Sequence, residues 1–284
     1  MNNSPINPKT ITVDGLTVRY AESERRDTHA LLLSPWPESV YAFEPTWAEL
    51  AADVHLVAVD LPGFGRSQGR PDVLTPQAAG AFVHRILDAL GLDKVHVVGP
   101  DIGTSASLFA AAQRPDRFHS VVIGSGGASA DLELGEPLAG WVSDPDITWY
   151  QQNAHTVMKA TLDNIFPAVP LADHVREDYL ASYAGRRFAE SMRYVRTYPT
   201  ELKVLEQLLP TIRTPVRIIA PARDQVVPPA HGEFLATRLP NSSLDIVDAG
   251  HFIWEEAPKA YASLVIDWWE RHQPGTDHAI ETER

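Results

Sequence analysis

Short apolar runs alternate with longer stretches whose apolar residues recur every three or four positions. Residues 30–33, 56–59, 95–98 and 121–123 are continuous apolar runs, the mark of strands buried on both faces of a sheet. Between the second and third runs, positions 79, 82, 83, 86, 87 and 90 are apolar. That spacing lays one stripe along a helix over 79–90, and Gly91 ends it as a C-terminal cap. Upstream, 11–13 and 16–20 flank the turn-forming pair Asp14-Gly15 and read as a hairpin. Strand–helix–strand alternation of this kind predicts a parallel α/β sheet with right-handed crossovers.

The alternation breaks near residue 130. From there to about 205 the chain is helical in pattern and aromatic, punctuated by Pro and Asp, with no convincing strand. It resumes with a strand at 216–220, a helix at 233–238, a strand at 244–247 and a helix at 260–271. A chain of 284 residues carries a soft prior of about two domains. The pattern makes the second an insertion: a core of 1–130 and 207–284, and a helical cap of 131–206. No internal repeat is present.

Composition narrows the chemistry. With 44% hydrophobic and 21% charged residues the chain belongs among globular proteins. It has no cysteine, which excludes disulfides, thiolate metal sites and cysteine catalysis, and sits easily with a reducing, cytoplasmic setting. Its net charge of −13 repels nucleic acid and anionic membranes, and no apolar run approaches the roughly 18 residues a membrane span needs. The first nine residues are polar, so no secretory signal is expected. The end of the chain, with Asp277, Glu281 and Glu283, is expected to fray.

The informative stretch is Val95-His96-Val97-Val98-Gly99-Pro100-Asp101-Ile102-Gly103-Thr104-Ser105. A strand ends in Gly-x-Asp-x-Gly and a helix over 105–113 follows at once, the context of a nucleophile elbow. Gly99 and Gly103 let strand and helix pass closely, and the helix N-terminus favours an ionised Asp101. The plainer alternative makes Asp101 an N-cap in a tight turn. Two later loops bear on the choice. One strand is followed by Ala222-Arg223-Asp224, the next by Gly250-His251-Phe252. Nucleophile, acid and base then come in that chain order, at the C-terminal ends of successive strands.

Other residues carry less. His55 and His96 start strands and read as structural, while His155 and His174 lie in the cap without a visible partner. No histidine pair has metal-ligand spacing with an acid nearby. Gly63, Gly65 and Gly69 do not match a phosphate-binding loop and read as a strand-to-helix connection.

Over about residues 10–272 the sequence resembles the α/β-hydrolase superfamily. The likeness rests on Asp60-Leu61-Pro62-Gly63-Phe64-Gly65-Arg66-Ser67, the elbow, Ala222-Arg223-Asp224 and Gly250-His251-Phe252. It implies a mostly parallel eight-stranded sheet flanked by helices, with an inserted helical cap. An aspartate at the elbow resembles the epoxide hydrolase and haloalkane dehalogenase branch. The resemblance implies Asp101 as nucleophile, His251 as base and Asp224 as its orienting acid. That branch usually carries His-Gly-x-Pro after its third strand, where this chain has Ser34-Pro35-Trp36-Pro37-Glu38-Ser39. By that likeness, the backbone N–H groups of Trp36 and Ile102 form the oxyanion hole, while the Trp36 indole reads as a core or cap-contact aromatic. Pro100 stands where the branch often has His.

Haloalkane dehalogenases usually have Trp directly after the nucleophile and fluoroacetate dehalogenases Arg; Ile102 matches neither, and Asp-Ile-Gly resembles bacterial epoxide hydrolases. Those enzymes hold the epoxide oxygen with two cap tyrosines. Tyr150-Gln151 resembles the first. Tyr194, one residue out of step, stands nearest the second, with Tyr198 next. The expected function is therefore opening of an epoxide to a vicinal diol through an ester on Asp101. The alternatives are carbon–halogen hydrolysis, with Trp141 or Trp149 gripping the halide, or a non-catalytic ligand-binding member of the fold. No cofactor is implied, since water is the second substrate. The aromatic cap (Trp141, Trp149, Tyr150, Phe166, Phe188) suggests a small apolar organic substrate.

Overall fold

The computed structural model describes residues 4–165 and 171–273. Phe166 and the acidic residues Asp277, Glu281 and Glu283 lie outside them. The hairpin forms as expected: β1 (Lys9–Val13) pairs antiparallel with β2 (Leu16–Glu22), Val13 opposite Leu16. Asp14 and Gly15 turn between them at φ 49° and 77°, the left-handed pair a two-residue hairpin loop demands.

Then follow β3 (His29–Leu33), α1 (Glu44–Leu50), β4 (His55–Val59), α2 (Pro76–Ala89), β5 (Val95–Pro100), α3 (Ile102–Gln113) and β6 (Phe118–Gly124). Among the described residues, five α-helices come next without a strand: α4 (Leu138–Ser143), α5 (Thr148–Ile165), α6 (Asp173–Ser182), α7 (Arg187–Val195) and α8 (Tyr198–Leu208). The alternation resumes with β7 (Val216–Pro221), α9 (Ala230–Arg238), β8 (Ser242–Val247), α10 (Ile253–Glu256) and α11 (Pro258–Arg271). The strands make one eight-stranded sheet in the order β1-β2-β4-β3-β5-β6-β7-β8. Only the β1–β2 and β2–β4 pairings are antiparallel.

The apolar runs are buried throughout, at 30–33, 56–59, 95–98 and 121–123, and so is every residue of β7. β8, at the edge, leaves Ile246 exposed. Helix α2 starts where Thr75 accepts from the Ala78 N–H and ends before Gly91 at φ 65°. Helix α3 begins at Ile102, three residues before the expected 105, so it springs directly from Asp101. Helices α1 and α10 were not foreseen; seven and four residues are too few to show a helical period.

The histidines sort by burial. His55 and His96 are buried, and His96 pairs with Ser120 Oγ at 2.8 Å while burial pulls its pKa down to about 3. His174 corrects the sequence reading: its Nε2 meets Glu44 at 2.9 Å. That partner lies 130 residues away, beyond any local pattern.

Two buried carboxylates hold the loops above the sheet. Asp60, at the end of β4, accepts from Ser34 Oγ and from the Val40 and Arg66 N–H groups. A Cβ on Gly65 (φ 48°) would fall 2.1 Å from that carboxylate, so this turn closes only on glycine. Asp178, on α6, receives Arg19 Nη1 at 3.0 Å, Arg66 Nε at 2.8 Å and Ser39 Oγ at 2.7 Å. Arg19 lies buried between Asp178 and Asp60, 3.5 Å from the latter. The helical insertion is thus moored to β2 and to the loops after β3 and β4. Removing one partner of a buried pair leaves the other charge uncompensated. Asp178→Ala should therefore cost about 3 kcal/mol of unfolding free energy, read by chemical denaturation.

Candidate active site

Asp101 stands between β5 and α3 at φ 52° and ψ −122°. The turn is held by Asp101 N–H to Gly124 O (2.8 Å) and Thr104 N–H to Asp101 O (2.9 Å). A Cβ on Gly99 would lie 2.2 Å from Ser107 Oγ and 2.6 Å from Gly103 O, so strand and helix can cross there only over glycine. Asp101 holds the N-cap position of α3 but makes no side-chain capping bond to it of the kind a structural cap makes. Beyond the Ile102 N–H, its carboxylate turns toward two other segments, at Trp36 and at His251.

Oδ2 accepts the Trp36 N–H at 2.6 Å, and the Ile102 N–H also bonds the carboxylate. Oδ1 lies 3.7 Å from His251 Nε2. His251 Nδ1 meets Asp224 Oδ2 at 2.8 Å, and Asp224 Oδ1 accepts from Val226 and Val227 N–H at 2.9 and 2.8 Å. With Nδ1–H donated to Asp224, the other ring nitrogen faces Asp101. The three residues named from chain order are therefore contiguous. Replacement of His-Gly by Ser34-Pro35 does not withdraw the Trp36 N–H; Ser34 instead bonds Asp60 and Val59 O, and the Trp36–Pro37 peptide is cis.

Electrostatics refine one expectation. Burial pushes the Asp101 carboxyl up to about 6, against the pull of His251 and the two N–H donors. Asp101 is thus an anion at neutral pH, but a weaker acid than the helix N-terminus alone would make it. Burial disfavours the His251 imidazolium; the charge and hydrogen bond of Asp224 and the charge of Asp101 outweigh it, and its pKa ends above the ordinary value.

A cavity of about 750 Å³ opens beside this group, lined by Trp141, Trp149, Tyr150, Val157, Val226 and His251 among others. Its lining reaches His251 but not Asp101, whose residue is 6% exposed. Trp36 lies across that end. Its ring meets Trp141 edge-on at 4.9 Å and stacks on Phe188 at 5.4 Å, and its indole N–H donates to Ser191 Oγ at 2.8 Å.

The tyrosines divide. Tyr150 lines the cavity, and burial and the adjoining Asp144 and Glu136 carboxylates raise its pKa, so it is a donor. Tyr194 does not fit its expected place. Its hydroxyl donates to Ile102 O (2.8 Å) and contacts Ser105 Oγ (3.0 Å), fully buried against the elbow helix. Tyr198 packs beside it, ring centroids 6.0 Å apart. Among the described residues, Tyr150 is the one tyrosine on the cavity wall. On α7, helical spacing puts Phe188, Met192, Tyr194 and Val195 inward together, and sequence cannot say which of them faces the cavity.

Sequence reasoning missed three contributors. Glu256, five residues past His251, folds back to accept from Gly250 N–H (2.8 Å) and Phe252 N–H (3.3 Å), clamping the histidine loop. Glu38 and Glu255 form a buried carboxyl pair behind the site. Trp254 Nε1 donates to Glu38 at 3.1 Å and Tyr179 to Glu255 at 2.9 Å. Burial and mutual repulsion raise Glu38, and burial raises Glu255 to about 8, so the pair holds a proton at neutral pH. Among the described residues, no group of three or more His, Asp or Glu could hold a metal ion.

The sheet order and elbow find their match in a family model described as alpha/beta hydrolase fold, which covers residues 31–258. The chain belongs to that family. Within the alpha/beta hydrolase fold family, it is 29% identical over 274 residues to a protein named putative carbamate hydrolase RutD from Caulobacter sp. (strain K31), covering 90% of this chain and 96% of that one. Two solved structures share the architecture. The haloalkane dehalogenase DatA from Agrobacterium tumefaciens C58 superposes with a TM-score of 0.79 at 21% identity, over 94% of this chain and 97% of its own. The epoxide hydrolase VrEH1 from Vigna radiata gives 0.77 at 17% identity, over 94% and 98%. At such identities these two likenesses establish the alpha/beta hydrolase fold and nothing finer. Among the described residues, no helix is long and apolar enough to cross a membrane.

Proposed function

We propose that this chain is a hydrolase that opens an epoxide to a vicinal diol through a covalent ester on Asp101. One observation carries the reading: a carboxylate occupies the elbow, bonded by two backbone N–H groups, with its Oδ1 beside a histidine. A serine at an elbow leaves such donors for the oxygen of a bound carbonyl. Here they already hold the enzyme's own carboxylate, where negative charge collects if water attacks an ester at Asp101.

In the first step Oδ1 attacks an epoxide carbon, the C–O bond breaks, and the ring oxygen takes a proton from Tyr150. A carboxylate needs no prior deprotonation, which suits a nucleophile whose neighbours already favour the anion. Ester formation removes the Asp101 charge, one of the influences that raise His251. The imidazole then favours its neutral form and can take a proton from water. Water adds to the ester carbonyl, and the Trp36 and Ile102 N–H groups hold the oxyanion. As it collapses, the departing diol oxygen takes the proton from His251. The proton left on the Asp101 carboxyl by the attacking water returns through solvent to the Tyr150 phenolate, so that nucleophile, base and acid are all restored. An epoxide and water are the partners this scheme needs, with no cofactor.

A single turnover in heavy-oxygen water tests the scheme. The label should enter the Asp101 carboxylate, read by peptide mass; label confined to the product would eliminate the ester. The pH response follows from the carboxyl at about 6. Ester formation, followed by stopped-flow tryptophan fluorescence, should be level above that pH and fall roughly tenfold per unit below it, as the nucleophile takes up its proton. Tyr150→Phe should slow ester formation about 100-fold, the ordinary worth of a positioned acid, with substrate affinity little changed.

One observation favours a second reading. Trp141 lines the cavity directly against Trp36, where an indole N–H could receive a departing halide. Halide release from a panel of chloroalkanes would establish carbon–halogen hydrolysis in place of epoxide opening.

A further inference from the structure

The charges around the cavity are one-sided. Among its described lining residues Arg223 is the sole Arg or Lys, and it is ion-paired to Asp248 and bonds Asp248 O at 3.4 Å. Glu136 and Glu256 line the same space. Glu256 spends both carboxylate oxygens on the histidine loop, whereas Glu136 accepts a single weak bond, from Gly140 N–H at 3.3 Å. Asp144 adjoins Tyr150 on that rim. A ligand bearing a carboxylate or phosphate would meet these groups and Asp101, in a chain of net charge −13, with its one lining cation already engaged.

The rim also carries aromatic surface that packing leaves uncovered. Trp149 is 53% exposed although it lines the cavity. Its ring stands at 88° to that of Tyr150, centroids 5.2 Å apart. The two rings stand edge to face, and the uncovered Trp149 ring beside carboxylates offers a negative quadrupole face together with negative charge, the chemistry that recognises an ammonium group.

We propose that Trp149, Tyr150 and Glu136 form a subsite for a cationic ammonium group, so that the epoxide taken at Asp101 carries a protonated or quaternary amine. The inference rests on the epoxide-opening reading for the reacting end of the substrate, and on the cavity alone for the cationic end. The charged group stays at the half-open rim, where it keeps part of its hydration, while the apolar body fills the space toward His251. Discrimination comes from the positive charge, not from size.

Isosteric pairs test this directly. The Asp101→Asn variant, which cannot form the ester, is titrated with choline and with neutral 3,3-dimethylbutan-1-ol, read by tryptophan fluorescence. Choline should bind about tenfold tighter, an advantage that 0.5 M salt reduces. Adding Trp149→Ala or Glu136→Gln should bring the ratio toward one. In parallel, the wild-type chain should show about tenfold higher kcat/KM for (2,3-epoxypropyl)trimethylammonium than for 1,2-epoxy-4,4-dimethylpentane. Equal or tighter binding of the alcohol, or a ratio that survives both rim substitutions, overturns the subsite. Preference for choline with neither epoxide turned over would support the subsite and sink the reaction instead.

Discussion

Replacing His251 with glutamine is expected to stop the reaction after one chemical event per molecule. The epoxide should still open, because the Asp101 carboxylate, its two N–H donors and Tyr150 remain. The ester should then persist, since nothing takes the proton from water. Turnover should fall by about 10⁶-fold, the order seen when the base of a catalytic triad is removed. The adduct should appear as a mass increase on the peptide holding Asp101, at one equivalent per chain. Loss of turnover without such an adduct would mean that His251 acts before the ester, or that no ester forms. The contact of Nε2 with Oδ1 at 3.7 Å is too long for a strong bond, as befits a group whose proton comes from a water entering between them.

The second large effect concerns the nucleophile. Asp101→Ala should abolish activity, by about 10⁴-fold or more, and leave no adduct with any substrate. It should also leave the fold intact. Burial raises this carboxyl to about 6, so the native state binds its proton more tightly than the unfolded chain does. The sign follows: above the ordinary carboxylate range the charged side chain detracts from stability, and removing it should raise the melting temperature at pH 8. A more stable but inactive variant is what a strained functional group predicts. A residue that merely capped the helix would lower stability when lost.

Much of this site is legible in the sequence because it follows from short-range rules. Gly99 and Gly103 around an acid betray the elbow: a Cβ on Gly99 would fall 2.2 Å from Ser107 Oγ, and one on Gly103 would press on Leu33 of β3 at 3.2 Å. Asp224 and His251 follow the two strands with which the alternation resumes, and parallel pairing brings them together. Cross-chain pairing is what stays hidden. Nothing near Glu38 announces Glu255, and nothing near His174 announces Glu44, because their partners are set by how the insertion and the loops settle on the sheet. Tyr194 marks the same boundary. The stripe of α7 shows that it points inward, yet only packing decides that its hydroxyl goes to Ile102 O and not to a substrate. Sequence thus reports which residues a sheet aligns, and falls silent on which wall of a buried helix meets which neighbour.

Asp178 has a bearing on traffic. With two guanidinium groups and two serine hydroxyls gathered on one shielded carboxylate, swinging α6 away as a rigid flap would strand several charges at once. A passage that opened by swinging α6 would break these bonds, whereas the cavity rim at Trp149, which is 53% exposed, can admit a guest without disturbing any of them, and its width would then bear on the largest molecule admitted.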